Sequence, residues 1–238
     1  MKRNTIFSML LGLMMLIVAA GCKKSYYTDT GTINPKYNGT MLQYLQNNKY
    51  HMFDSLSRMI KLAGLETVFT TDSLTFFAPA DTSIKNSMLV LNSVLRAQGR
   101  DTVYSLSQFT PDFLKDQLGQ YMFKGLHRLK DYPQIDPNNF RVYGGQYYAS
   151  YYGKVMLIGV FFYDAAGVKY AGYRQLTITP NPPAATYAPK LYYVASSDVN
   201  PSNGIVHVLD FTSANYFGID VNLFINGALS GGIAAKGQ

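Results

Sequence analysis

The hydrophobic period changes once along this chain, and that change restricts the folds open to it. Up to Gly119 the apolar residues recur at helical spacing, and from Phe140 onward they alternate or run continuously, as strands do. Over His51–Ala63, Met52, Phe53, Leu56, Met59, Ile60 and Ala63 fall on one helical face, with Gly64 placed to end the helix in the left-handed region. A shorter helix is expected over Thr40–Asn48 through Met41, Leu42 and Leu45. A third, capped by Asp81 and running to about Ala97, carries Ile84, Met88, Leu91 and Leu95. A fourth opens at Pro111 with Thr110 as its cap and buries Phe113, Leu114 and Leu118.

Strands are expected at Leu74–Ala78, stopped by Pro79, and at Tyr121–Phe123. More follow at Tyr147–Tyr152, Val155–Tyr163, Arg174–Thr179, Lys190–Ala195 and Gly204–Phe211, with Pro180, Pro182 and Pro183 breaking the chain between. Helices first and a mainly antiparallel sheet afterwards predict one α+β domain, not alternating βαβ units. Residues 213–238 continue beyond the last strand. Phe217, Ile219, Val221, Leu223 and Phe224 suit a further strand or short helix, and the small-residue stretch from Ala228 reads as loose.

Composition removes whole classes of function. Hydrophobic residues make up 47% and charged residues 15%, which excludes general disorder. A single Cys excludes an internal disulfide framework, and His51, His127 and His207, the three histidines, show no metal-ligand spacing. No metal site and no cofactor are expected. The GxSxG elbow, the GxGxxG loop and the phosphate-binding GK[ST] are all missing. Two glycosidase carboxylates can lie far apart in a sequence, so a hydrolase stays open as the third reading.

The N-terminus sets the address. Lys2 and Arg3 precede Ile6–Ala20, fifteen residues without a charge. That suits the apolar core of a secretory signal and falls short of the ~17–25 residues of a membrane span. Ala19-Ala20-Gly21-Cys22 resembles a bacterial lipoprotein cleavage box, with Ala19 where Leu is more common. The resemblance implies removal of residues 1–21 and lipid attachment at Cys22; an ordinary signal peptide beside an incidental Cys is the alternative. Residues 22–39 then form a tether. Lys23 replaces the Asp that retains some bacterial lipoproteins at the inner membrane, so the expected location is the outer membrane, on either face.

Three segments carry a second resemblance. Thr75-Phe76-Phe77-Ala78-Pro79-Ala80-Asp81-Thr82-Ser83-Ile84 resembles the first signature of the fasciclin-like domain, and Asn203-Gly204-Ile205-Val206-His207-Val208-Leu209-Asp210 its second. Leu118–Phe123 is similar to the family's Tyr-His segment, with Met122 where the His stands. The resemblance covers about residues 40–212. It implies a fasciclin-like α+β fold, with N-terminal helices packed on a mainly antiparallel β-wedge or sandwich, and a non-catalytic adhesion or binding role. Phe76, Ala78, Pro79, Asp81, Asn203, Gly204, His207 and Asp210 are read as fold determinants. His207 and Asp210 fall on opposite faces of a strand, which argues against an acid–base pair.

The candidate ligand-binding residues are Tyr147, Tyr148, Tyr151, Tyr152, Lys124 and Arg128. Alternation through Tyr152 would put Tyr147 with Tyr151 on one face and Tyr148 with Tyr152 on the other. Tyrosine offers a flat apolar ring with a hydroxyl at low entropic cost, which suits sugar rings or proteins; ordinary β-sheet packing is the other reading. Lys124 and Arg128 belong to the basic stretch Lys124–Lys130, and the whole chain carries a formal charge of +7. The expected partners are a membrane through the lipid anchor and a glycan, cell-surface or matrix protein, with no nucleic acid. The leading expectation is a lipid-anchored adhesion or binding module, and an accessory glycan-capture lipoprotein beside an outer-membrane importer is the alternative.

Overall fold

The computed structural model describes residues 36–180 and 189–234. The expected signal segment, Cys22, the tether up to residue 35, and Pro182 and Pro183 lie outside the described residues. In chain order the elements are α1 (Met41–Gln46), α2 (Asp54–Leu62), α3 (Glu66–Thr71), β1 (Leu74–Ala78), α4 (Asp81–Ala97), α5 (Pro111–Gly119), β2 (Met122–Lys124), β3 (Gln146–Ala149), β4 (Val155–Phe162), β5 (Arg174–Pro180), β6 (Tyr192–Val199), β7 (Gly204–Leu209) and α6 (Val221–Gly227). The architecture is α+β.

Among the described residues, seven strands join one sheet in the order β2-β1-β7-β6-β5-β4-β3. Only β1 and β7 run parallel, and the other five pairings are antiparallel. The parallel pair is the centre of the fold. Both strands are buried along their whole length, as a strand covered on two faces must be. Phe76 stacks edge-on against Phe69 of α3, and Phe77 turns the other way onto Phe123 and His207.

Most expected helices lie where their apolar stripes place them. Gly64 follows α2 at φ +68°, and Thr110 accepts from the Phe113 N–H at the start of α5. The short α3 has no counterpart in the sequence reading. Its six residues, Glu66-Thr67-Val68-Phe69-Thr70-Thr71, are mostly β-branched and too few to show a period.

Two expectations need correcting here. Asp81 does not cap its own helix: it is the first residue of α4, and its carboxylate accepts from the Ser55 and Leu56 N–H groups at 2.8 and 3.0 Å. It therefore caps α2, one helix away. The stretch from Ala228, expected to be loose, is packed as far as Ala234, and residues 235–238 lie outside the described residues. Ala228 and Gly232 are buried, Gly232 accepts from the Thr110 N–H at 2.8 Å, and Ala234 donates to the Gln108 carbonyl at 2.8 Å. A Cβ at Gly227 or Gly232 would press into the Phe113 ring, at 2.9 and 2.8 Å respectively. The small residues there permit close approach and do not signal looseness.

The segment after β7 also completes the core. Phe217, Ile219 and Phe224 are buried. Phe217 meets Tyr121, whose hydroxyl accepts from the Gly218 N–H at 2.7 Å. Phe224 closes an aromatic cluster with Phe109 and Phe113.

Candidate functional site

The two ends of the sheet approach one another at a seam, and five of the six candidate ligand residues, all but Arg128, lie along it. β2 and β3 are at opposite ends of the strand order, yet the Tyr151 N–H donates to the Met122 carbonyl. Met122 itself is fully buried, an apolar core residue at the seam.

The tyrosine pairing expected from alternation does not occur. β3 ends at Ala149, and Ser150–Lys154 forms the turn into β4, so Tyr151 and Tyr152 leave the strand register. Parity carries face assignments only while the chain stays extended. Tyr147 and Tyr152 are the exposed pair, at 49% and 41%, while Tyr148 and Tyr151 are half-buried.

Each half-buried ring has a structural neighbour. Tyr148 packs edge-on against buried Tyr132, with centroids 5.3 Å apart, and approaches His127. Partial burial raises its hydroxyl pKa, with Asp131 adding to the effect. The Tyr151 hydroxyl donates to Asp72 at 2.8 Å, and that bond to a carboxylate raises its pKa. The Lys124 ammonium lies 5.2 Å from the Tyr151 ring centroid, a cation–π contact of about 0.5–1 kcal/mol at an exposed site. Tyr152 covers Gly119, where a Cβ would fall 2.6 Å from its ring. The seam thus joins Lys124, Tyr151 and Tyr152. Arg128 stands at the start of the 3-10 turn Leu129–Asp131, where its backbone N–H donates to the Asp131 carboxylate at 2.7 Å.

Asn203 and His207 of the second signature segment face inward. Asn203 accepts from the Met41 N–H at 2.8 Å and donates to the carbonyls of Phe69 and Asp72 at 3.2 and 3.1 Å. One amide side chain thereby joins the start of α1 to the end of α3. Gly204 is required beside it, because a Cβ would collide with the Leu74 carbonyl and the Met41 side chain.

His207 is fully buried. Its Nδ1 accepts from the Asp198 N–H at 3.2 Å, which assigns the proton to Nε2, and Nε2 donates to the His127 carbonyl at 3.0 Å. Burial lowers its pKa from 6.5 to about 4, so the ring is neutral. The Asp198 carboxylate 3.9 Å away is therefore not an ion-pair partner, and it accepts from the Leu129 N–H. Asp210 lies just beyond β7, where it accepts from the Thr212 N–H and hydroxyl. His207 and Asp210 do not form a catalytic pair. Phe211, expected on the strand, has left it and is 51% exposed.

A second aromatic surface escaped the sequence reading. Tyr163 and Tyr173 stack in parallel at 3.9 Å, Phe161 meets Tyr163 edge-on at 4.7 Å, and Tyr193 approaches Phe161. These residues lie on the β4–β5–β6 face, and the β4–β5 register that aligns Phe161 with Gln175 is a tertiary fact with no local signal.

No family model matches the chain, and no curated protein matches it. Among solved structures, it is similar to a FAS1 domain pair from the insect cell adhesion molecule fasciclin I. That likeness has 21% identity and a TM-score of 0.46, covering 72% of this chain and 49% of the other. The chain spans about half the length of that structure.

Proposed function

We propose that this protein is a binding module of the cell envelope, held by a lipid on Cys22, whose work is contact without turnover. The observation that carries this reading is a division of labour among its polar groups. His207, Asn203 and Asp81, the residues of the signature segments with chemical potential, are all engaged with backbone groups of distant segments. The exposed rings at the seam are left facing outward. The Ala19-Ala20-Gly21-Cys22 box supports the anchor and the outer-membrane address.

A narrower reading is capture of a glycan beside an outer-membrane importer, and the exposed rings of Tyr147 and Tyr152 support its glycan half. Mass spectrometry of the mature N-terminus tests the anchor: diacylated or triacylated Cys22 is expected, and an unmodified mature protein released into the medium would overturn it. Screening against glycan arrays, matrix proteins and whole cells tests the binding role. A saturable ligand is expected; uniformly negative screens, or catalytic conversion of any of these compounds, would count against the reading.

A further inference from the structure

Outside the seam, the helical side of the molecule holds an open cleft of about 470 Å³ between α2, α4 and the segment 103–106. That volume lies within the ~300–1,000 Å³ range of small-molecule sites. It shares no residue with the tyrosine seam. Its floor is apolar: Ile84, Val103 and Leu106 are buried there, and Leu89 on the α4 wall is 53% exposed. The Asn92 amide behind the floor is closed off, because it both donates to and accepts from the Val103 backbone at 2.8 Å.

The charged side chains among the cleft's described residues have one sign. Arg58 from α2 and Lys85 from α4 both line it, and among the described residues no acidic side chain does. Arg58 is held at the wall by a hydrogen bond from Nη2 to the Ser105 hydroxyl at 3.4 Å, which leaves other guanidinium N–H groups free to donate. The acids at the starts of the two helices are already engaged: Asp54 meets His51 Nδ1 at 3.2 Å, and Asp81 is turned to the α2 N-terminus. A neutral polyol would meet an apolar floor, and a bare anion would leave that floor wet. The cleft instead matches a molecule with an apolar body and one anionic end.

We propose that this cleft binds a free alkyl or aryl carboxylate, its chain along Leu89 and the α4 wall and its carboxylate between Arg58 and Lys85. The guanidinium donates to a carboxylate in a two-bond fork, and Lys85 adds a point charge from the opposite helix.

Calorimetric titration of the purified protein with octanoate, which stays monomeric at millimolar concentration, tests this directly. Saturable binding is expected. Octanol, with the same chain and no charge, should bind at least tenfold more weakly. The double variant Arg58→Gln/Lys85→Gln should lose at least tenfold in octanoate affinity, and so should Leu89→Asp. All three positions are exposed, and the variants should keep their melting temperature, which separates lost binding from lost fold. Absence of saturation with octanoate, equal affinity for octanol, or an unchanged constant in either variant overturns the proposal. Capture of anionic vesicles through Arg58 and Lys85 without octanoate binding also overturns it, in favour of a membrane-facing surface.

Discussion

The interior joint around Asn203 and His207 and the tyrosine seam are built from opposite uses of polar atoms. At the joint, each side chain meets backbone groups far away in sequence, and little of it reaches water. At the seam, Tyr147 and Tyr152 hold their rings in solvent. A buried polar group that loses its partner is left desolvated and unpaired, whereas an exposed ring that is removed is replaced by water. Substitutions at the joint should therefore be read in stability, and substitutions at the seam in binding.

The largest effect should come from Asn203→Ala. It removes three backbone bonds together, orphaning the Met41 N–H and the Phe69 and Asp72 carbonyls. A loss of about 3–4 kcal/mol is expected in denaturant unfolding. A loss below about 1 kcal/mol would mean that water replaces the amide without cost and that the contrast between joint and seam is false.

His207 sharpens the same comparison through pH. Its folded pKa is about 4, against 6.5 for an ordinary His, so between these values the unfolded chain binds a proton that the folded chain refuses. Its contribution is fully present above pH 6.5 and declines as pH falls toward 4. The integrated loss is about 3 kcal/mol on the scale of about 1.36 kcal/mol per unit. Unfolding curves at about pH 7 and about pH 4.5 should show the drop in the native protein, and His207→Gln should flatten it while lowering stability at both values. Parallel pH profiles for the two proteins would remove His207 as the cause.

Asp81→Ala should cost less, about 1–2 kcal/mol, the worth of a helix cap. Its location matters more than its size. Amide hydrogen exchange should accelerate at Ser55 and Leu56, the two donors of the lost bonds, more than at the first turn of α4. Acceleration confined to α4 would return Asp81 to the role its sequence position suggests.

That reversal shows which parts of the molecule were legible in its sequence. The stripe of Leu56, Met59 and Ile60, the cap at Thr110 and the run Leu74–Ala78 are local patterns, and they settle helix and strand positions. Which helix end Asp81 satisfies is a tertiary matter, since a carboxylate at a helix start reads identically whether it serves its own helix or a neighbour's. Tyrosine alternation was legible as far as Ala149 and misleading at Tyr151, because the strand ends before the aromatic pattern does. The Tyr163–Tyr173 stack was invisible for a related reason, since its partners meet only through the β4–β5 pairing. The C-terminal segment failed differently: Gly227 and Gly232 mark where Phe113 presses against the backbone.

The smallest stability effect, and the one that bears most on function, belongs to Tyr147. Its ring is about half exposed on edge strand β3, so Tyr147→Ala should move the unfolding free energy by no more than about 0.5 kcal/mol. Tyr152→Ala should cost somewhat more, because the ring shields Gly119, and a combined variant tests the seam without touching Tyr148 and its contact with Tyr132. Against whichever glycan or protein the screens return, the pair should weaken affinity about tenfold or more, which is about 1.4 kcal/mol or above. Unchanged affinity in a folded double variant would move the binding surface elsewhere. The first place to look would then be the Tyr163–Tyr173 stack, where Tyr173 stands 60% exposed on the β4–β5–β6 face.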